Sequence, residues 1–225
     1  MVVSAMNETV QCYPEGVIFD MDGLMLDTER PMVSAWLEVT KSLGWDIPVE
    51  TVYRTVGISG ESMRALFLRE YGPDFPFDSI RKELIQMSIQ KFENGIAHRP
   101  GLIPLLDHLA SLGIPLAVAT SATRERALWK LRIAGILDRF TILACGDEVS
   151  NGKPAPDIFL LAAERLGKAP SRCVGFEDSP AGLQGLQQAG IRSVFVKDFV
   201  EPSPEILAAV WRRCNDLAEA AELFG

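Results

Sequence analysis

The stretch VIFDMDGLMLDTE, residues 17–29, places four carboxylates, Asp20, Asp22, Asp27 and Glu29, directly behind an apolar run. Like charges repel and apolar runs seek burial, so the pairing needs a cause. The run GVIF at 16–19 is short and rich in β-branched and aromatic residues, which predicts a buried strand. Similar runs recur downstream: IPLAVATS (114–121), FTILACG (140–146), RCVGFED (172–178) and RSVFVK (192–197). Helix-like segments lie between them and close on Gly113, Gly135, Gly167 and Gly190, the residue type that best ends a helix. Asp157 reads as the N-cap of the segment PDIFLLAAERLG. Buried runs alternating with helices predict an α/β fold: a Rossmann-like, three-layer core with a parallel sheet between helices.

Residues 30–98 break this rhythm. PMVSAWLEVTKSLG, VETVYRTV, GESMRALFLREYG and DSIRKELIQMSIQKFENG all read as helical, with no buried strand among them. The expected organisation is a lead-in over 1–13, an α/β core from 14–29 and 99–225, and an all-helical insertion over 30–98.

Composition narrows the function. Hydrophobic residues make up 48% of the 225, enough for an ample core in one domain with an insertion. The net charge of −8 argues against nucleic acid, which needs a basic face. Cys12, Cys145, Cys173 and Cys214 are widely spaced and accompany only two histidines, so buried thiols are expected rather than a zinc site. The N-terminus lacks the pattern of a secretory signal, and no run approaches the roughly 20 apolar residues of a membrane span. The expectation is a cytoplasmic monomer with a small-molecule partner, using neither nucleic acid nor membrane.

In open α/β sheets, ligands bind beyond the carboxyl ends of the strands. The residues expected there are Asp20 and Asp22 after the first strand and Thr120 and Ser121 after the second. Lys153 follows the third, in GDEVSNGKPAPD, and Glu177 and Asp178 follow the fourth. Carboxylates, hydroxyls and a lysine converge on one edge. Other motifs fall short. GDEVSNGKP has the wrong glycine spacing for a P-loop and a proline after the lysine. DMDGLMLDTE has Leu24 and Met25 where a calcium loop needs a ligand and a glycine.

An aspartate nucleophile working with Mg²⁺ fits the set. A carboxylate can attack phosphorus and split one displacement into two easier ones. Bringing an anion to an anion requires a cation between them, and hard Mg²⁺ takes carboxylate oxygens such as those of Asp20 and Asp178. Lys153 adds a positive charge, and Thr120 or Ser121 can hold a phosphate oxygen. Asp22, two residues beyond Asp20, can serve the leaving oxygen as acid and then base, with Gly23 permitting the turn. Taken singly, each residue has a plainer reading. Lys153 would be a solvated loop residue, Ser121 and Ser179 helix caps, and Asp27 and Glu29 a charge pair at a helix start.

At these residues the sequence resembles the haloacid dehalogenase superfamily, in its phosphatase and β-phosphoglucomutase-like branch. DMDGLMLDTE is similar to the opening motif, VATS to the second, GKPAPDIF to the lysine motif and GFEDSPAG to the acidic metal motif, over about residues 16–200. The resemblance implies that Asp20 is the nucleophile and Asp22 the acid/base. It implies Mg²⁺ on the Asp20 side chain, the Asp22 carbonyl and Asp178, with Glu177 near its waters, and phosphate on Thr120 and Lys153. Residues 30–98 would be the helical cap, with a specificity loop near TVGISG and hinges near residues 28–31 and 95–101. Two positions depart from the mutases of this branch: Met32 stands where they carry a histidine, and Gly60 where they carry an arginine for a second phosphate. Both departures favour a phosphatase acting on a sugar phosphate, phosphoglycolate or a nucleoside monophosphate. A phosphomutase and a non-enzymatic binding protein are the alternatives. Arg54 and Arg64 read as solvated helix-face residues.

Overall fold

The computed structural model describes residues 13–58 and 60–224. Nearly all of the expected lead-in, with Cys12, lies outside the described residues, as does Ser59 of the expected specificity loop. Six strands form one parallel sheet: β1 (Gly16–Phe19), β2 (Leu116–Thr120), β3 (Ile142–Cys145), β4 (Cys173–Glu177), β5 (Arg192–Val196) and β6 (Arg212–Cys214). Their order is β3-β2-β1-β4-β5-β6. The chain therefore builds outward from β1 in one direction and then in the other, which leaves a crevice at the carboxyl end of β1.

The alternation of side chains along β1 assigns its two faces. Val17 and Phe19 join a cluster with α5 (Leu102–Ser111), α6 (Arg124–Ile133) and α10 (Leu217–Ala221). Ile18 joins the opposite cluster with α7 (Asp157–Leu166) and α8 (Pro180–Gln188). Every residue of β1, β2 and β4 is buried, as a central parallel sheet requires.

Between β1 and α5 lie α1 (Glu29–Ser42), α2 (Val49–Tyr53), α3 (Gly60–Tyr71) and α4 (Phe77–Phe92). They pack around their own apolar cluster, in which Phe67 stacks on Trp36 at 4.9 Å and on Phe75 at 5.0 Å. The two chain segments leading into and out of these helices run side by side. Asp27 N–H donates to the Ala97 carbonyl and Arg99 N–H to the Met25 carbonyl, each at 2.9 Å. Arg30, on the first segment, and Arg99, on the second, both pair with Asp198 just past β5, at 2.7 and 3.0 Å.

Two expected helix caps are corrected. Pro156 precedes α7, so Asp157 is the first helical residue, where its carboxylate still complements the helix dipole and accepts from Asn151. Ser121 caps nothing: α6 begins at Arg124 behind Thr123, because Ala122 N–H turns back to the Thr120 hydroxyl. Ser179 does cap α8, accepting from Gly182 N–H. The sequence reading also passed over β6, α9 (Pro204–Ala208) and α10. Cys145, Cys173 and Cys214 are free and buried. Among the described residues no helix is long and apolar enough to cross a membrane.

Candidate active site

Register brings the site together. Phe19 of β1 pairs with Phe176 of β4, so Asp20 and Glu177 leave their strands side by side. Asp20, Glu177 and Asp178 are buried, and each offers an oxygen within 4.8 Å of the others. Lys153 is buried with them and donates to Asp20 at 2.5 Å and to Glu177 at 3.0 Å, with Nζ 4.9 Å from the Phe159 ring centre. Burial alone would lower the Lys153 ammonium, but Asp20 and Glu177 outweigh it and hold it above its ordinary value.

Burial pushes the Asp20 carboxyl well above the usual carboxylate range, with Lys153 pulling against it and Glu177 and Asp22 adding to the rise. Asp178 is raised in the same way, by burial first and then by Glu177 and Asp20. Both carboxylate oxygens of Asp178 are buried without a hydrogen-bond partner. Buried polar atoms normally find partners, so a crowd of carboxylates with two orphaned oxygens calls for a cation. Oxygen donors of this kind suit a hard divalent ion. Glu177 is otherwise engaged: it accepts from Lys153, from the Ser179 hydroxyl at 2.9 Å and from Asp178 N–H at 2.9 Å. Its carboxylate thus anchors Lys153 beside Asp20. Gly182 makes room for it, since a Cβ there would overlap the Glu177 carboxylate.

Asp22 lies outside this cradle and faces a second lysine. Lys130 of α6 donates to Asp22 at 2.5 Å, and the Thr28 hydroxyl donates to the same oxygen at 2.7 Å. Burial acts to raise the Asp22 carboxyl, but the Lys130 charge and hydrogen bond, with Thr28, bring it below its ordinary value. Glu29 stands in the first turn of α1, where a helix-start charge was expected, yet it also lines the pocket. Burial, then the nearby Asp22 charge, lift its pKa to about 7.

The pocket opens between the sheet edge and α1–α4, with a volume of about 230 Å³. Thr120 and Ser121 line its floor, and Met32 and Gly60 its far wall. Gly57, at a φ of 78° that favours glycine, sits against Ser179, and its carbonyl accepts from the Ser121 hydroxyl at 3.1 Å. The TVGISG segment thus reaches the site. Arg54 and Arg64 do not line the pocket: Arg54 pairs with Glu70 at 2.5 Å and Arg64 with Asp78 at 3.4 Å. Lys130, Arg126 and Arg81 line it instead, and the sequence reading named none of them. Helical spacing carried a signal for Lys130, which shares the buried face of α6 with Ala127 and Leu131. A lysine at such a core position needs a buried anion.

Residues 14–190 match the family described as haloacid dehalogenase-like hydrolase. The chain belongs to this family. It is 32% identical over 181 residues to the phosphorylated carbohydrates phosphatase of Thermotoga maritima, covering 80% of this chain and 84% of that protein. It is 33% identical over 219 residues to protein CbbY of Rhodobacter capsulatus, covering 92% and 95%. Among solved structures, CbbY from Rhodobacter sphaeroides in complex with xylulose-(1,5)bisphosphate superposes with a TM-score of 0.78 at 30% identity, covering 92% of this chain and 96% of that one. The six-stranded parallel core is thus the Rossmann-like fold of these hydrolases.

Proposed function

We propose that the chain is a Mg²⁺-dependent phosphatase of small phosphorylated sugars, working through an aspartyl-phosphate on Asp20. The observation that carries this reading is the Lys153–Asp20 pair beside the orphaned oxygens of Asp178. The relatives' names, a phosphatase of phosphorylated carbohydrates and a protein crystallised with a sugar bisphosphate, support the substrate class.

Asp20 and Asp178 would hold the ion, with the Asp22 carbonyl, while Glu177 orients the edge. Bound there, Mg²⁺ would offset the repulsion between the attacking carboxylate and the phosphoryl oxygens. Lys153, Thr120 and Ser121 bind those oxygens. A carboxylate oxygen of Asp20 bonds to phosphorus as the bond to the leaving oxygen breaks, and Asp22 gives that oxygen a proton. Water then attacks phosphorus, Asp22 takes its proton, and the bond to Asp20 breaks to release phosphate. Lys130 holds Asp22 as a carboxylate, the form needed for the second half; the first half requires Asp22 to take up a proton. Helices α1–α4, residues 30–98, act as a cap that excludes water from the intermediate. Met32 has no proton to relay, which favours hydrolysis over phosphomutase chemistry.

Phosphate release from p-nitrophenyl phosphate with and without Mg²⁺ tests the reading. The expected result is Mg²⁺-dependent release that Asp20→Asn abolishes while the protein stays folded. Retained turnover in that variant would sink the assignment.

A further inference from the structure

Two isoleucines line the pocket without joining any apolar core. Ile58 follows Gly57 in the segment before α3, and Ile85 sits on α4. The other large apolar side chains of the pocket wall, Trp36 and Leu84 among them, pack into the cluster that holds α1–α4 together or into the one beneath the sheet. Among the described residues, Ile58 and Ile85 belong to neither of these, nor to the two remaining clusters. Both are half-buried. An apolar side chain left open to a cavity gains free energy from whatever apolar surface covers it.

Contact between the insertion and the sheet edge does not cover them. Beside Ile58, the Gly57 carbonyl accepts from the Ser121 hydroxyl at 3.1 Å. One turn past Ile85, the Ser88 hydroxyl accepts from Arg126 at 3.1 Å. The two isoleucines flank contacts that are already made, and both still line the cavity.

Polar groups on this wall are few and mostly engaged. The Thr55 hydroxyl donates to the Val52 carbonyl at 2.6 Å, and the Gly57 carbonyl is held by Ser121. Glu29 and Arg81 remain. Across the cavity, Lys153 and Lys130 are matched by carboxylates. A hydroxyl taken out of water without a partner carries the full cost of its lost hydrogen bonds. A sugar hydroxylated at every carbon would bring more hydroxyls than this wall can answer, and would set some of them against Ile58 and Ile85.

We propose that the leaving group turns a hydroxyl-poor face toward Ile58 and Ile85, so that a deoxygenated ring is preferred over its fully hydroxylated counterpart. This rests on the phosphatase reading for which end of the substrate reacts.

Binding to Asp20→Asn, measured by calorimetry with Mg²⁺, tests the preference without turnover. Two matched pairs serve as probes. Glucose 6-phosphate is set against cyclohexylmethyl phosphate, which has the same ring size and phosphate arm but no hydroxyls. Ribose 5-phosphate is set against 2-deoxyribose 5-phosphate. The expected result is about tenfold or greater tightening for the hydroxyl-poor member of at least one pair. Adding Ile58→Thr and Ile85→Gln together puts hydrogen-bonding groups on the same wall and should bring that ratio toward one. Neither isoleucine packs in a core, so circular dichroism should show the fold intact. Equal affinities or tighter binding of the hydroxylated member in both pairs would overturn the preference. So would a ratio that survives the double substitution. Differential binding without phosphate release by the wild-type chain from any of these esters would overturn the phosphatase reading and leave the apolar face standing.

Discussion

Lys130 of α6 donates a 2.5 Å hydrogen bond to Asp22, two residues beyond the proposed nucleophile. The bond ties the proposed acid/base carboxylate to a helix that also lines the pocket. Removing the cation removes the main force that favours the ionised form. In Lys130→Met the limb of the pH–rate profile that reports Asp22 ionisation should move to higher pH, with kcat falling by roughly 10- to 100-fold. Lys130→Arg should restore part of the loss. An unmoved limb in Lys130→Met would detach this lysine from Asp22.

Asp20 is crowded by burial and by Glu177, so the ionised form is costly in the protein's own field. Asp20→Asn should therefore keep or raise Tm in metal-free buffer while turnover falls by about 10⁴-fold or more. A large drop in Tm would mean that the Lys153 pair outweighs the repulsion. Asp22→Asn should impair esters with poor leaving groups most, since those need the proton. Equal losses across leaving groups would argue against its acid role.

The raised Asp20 and Asp178 carboxyls also set how stability responds to pH. An acid whose folded pKa lies above its unfolded value binds more protons in the folded state, so its contribution is present at low pH and is lost as pH rises. A bound cation reverses this by favouring the ionised forms. The gain in Tm from Mg²⁺ should thus be larger at pH 8 than at pH 6, measured by scanning fluorimetry. An equal gain at both would place the ion elsewhere.

Gly182 leaves space for the carboxylate that anchors Lys153. Gly182→Ala should cost about 1–3 kcal/mol in urea unfolding, as overpacking does, and should take most of the activity with it. Gly167→Ala offers a contrast. That glycine ends α7 at a φ of 67° with open space around it, so its cost should be about 1 kcal/mol with activity unchanged. Full activity in Gly182→Ala would show that Glu177 need not sit where it does.

The strand ends were readable because period and composition are local. GVIF predicted β1 residue for residue, and the carboxyl-edge rule gathered Asp20, Thr120, Lys153 and Asp178 before any geometry. What sequence could not supply was the direction of side chains on helices that meet only in three dimensions. Arg81 and Arg126 are 45 positions apart and look like ordinary helix-face charges; only the approach of α4 and α6 makes them neighbours. Gly60 shows the same limit, since the guanidinium that stands beside it comes from a different helix. The strand β6 escaped because RRC has no apolar signature, two of its three residues being exposed.

Asp198 grips Arg30 on the segment leaving the sheet and Arg99 on the segment returning to it. Both crossings are thereby fastened at one spot, and the backbone bonds between them hold them together as an antiparallel pair. If α1–α4 act as the proposed lid, an attachment of this kind would favour swinging about a single post over sliding. Such a swing would carry α1–α4 along one arc toward Asp20, the proposed nucleophile.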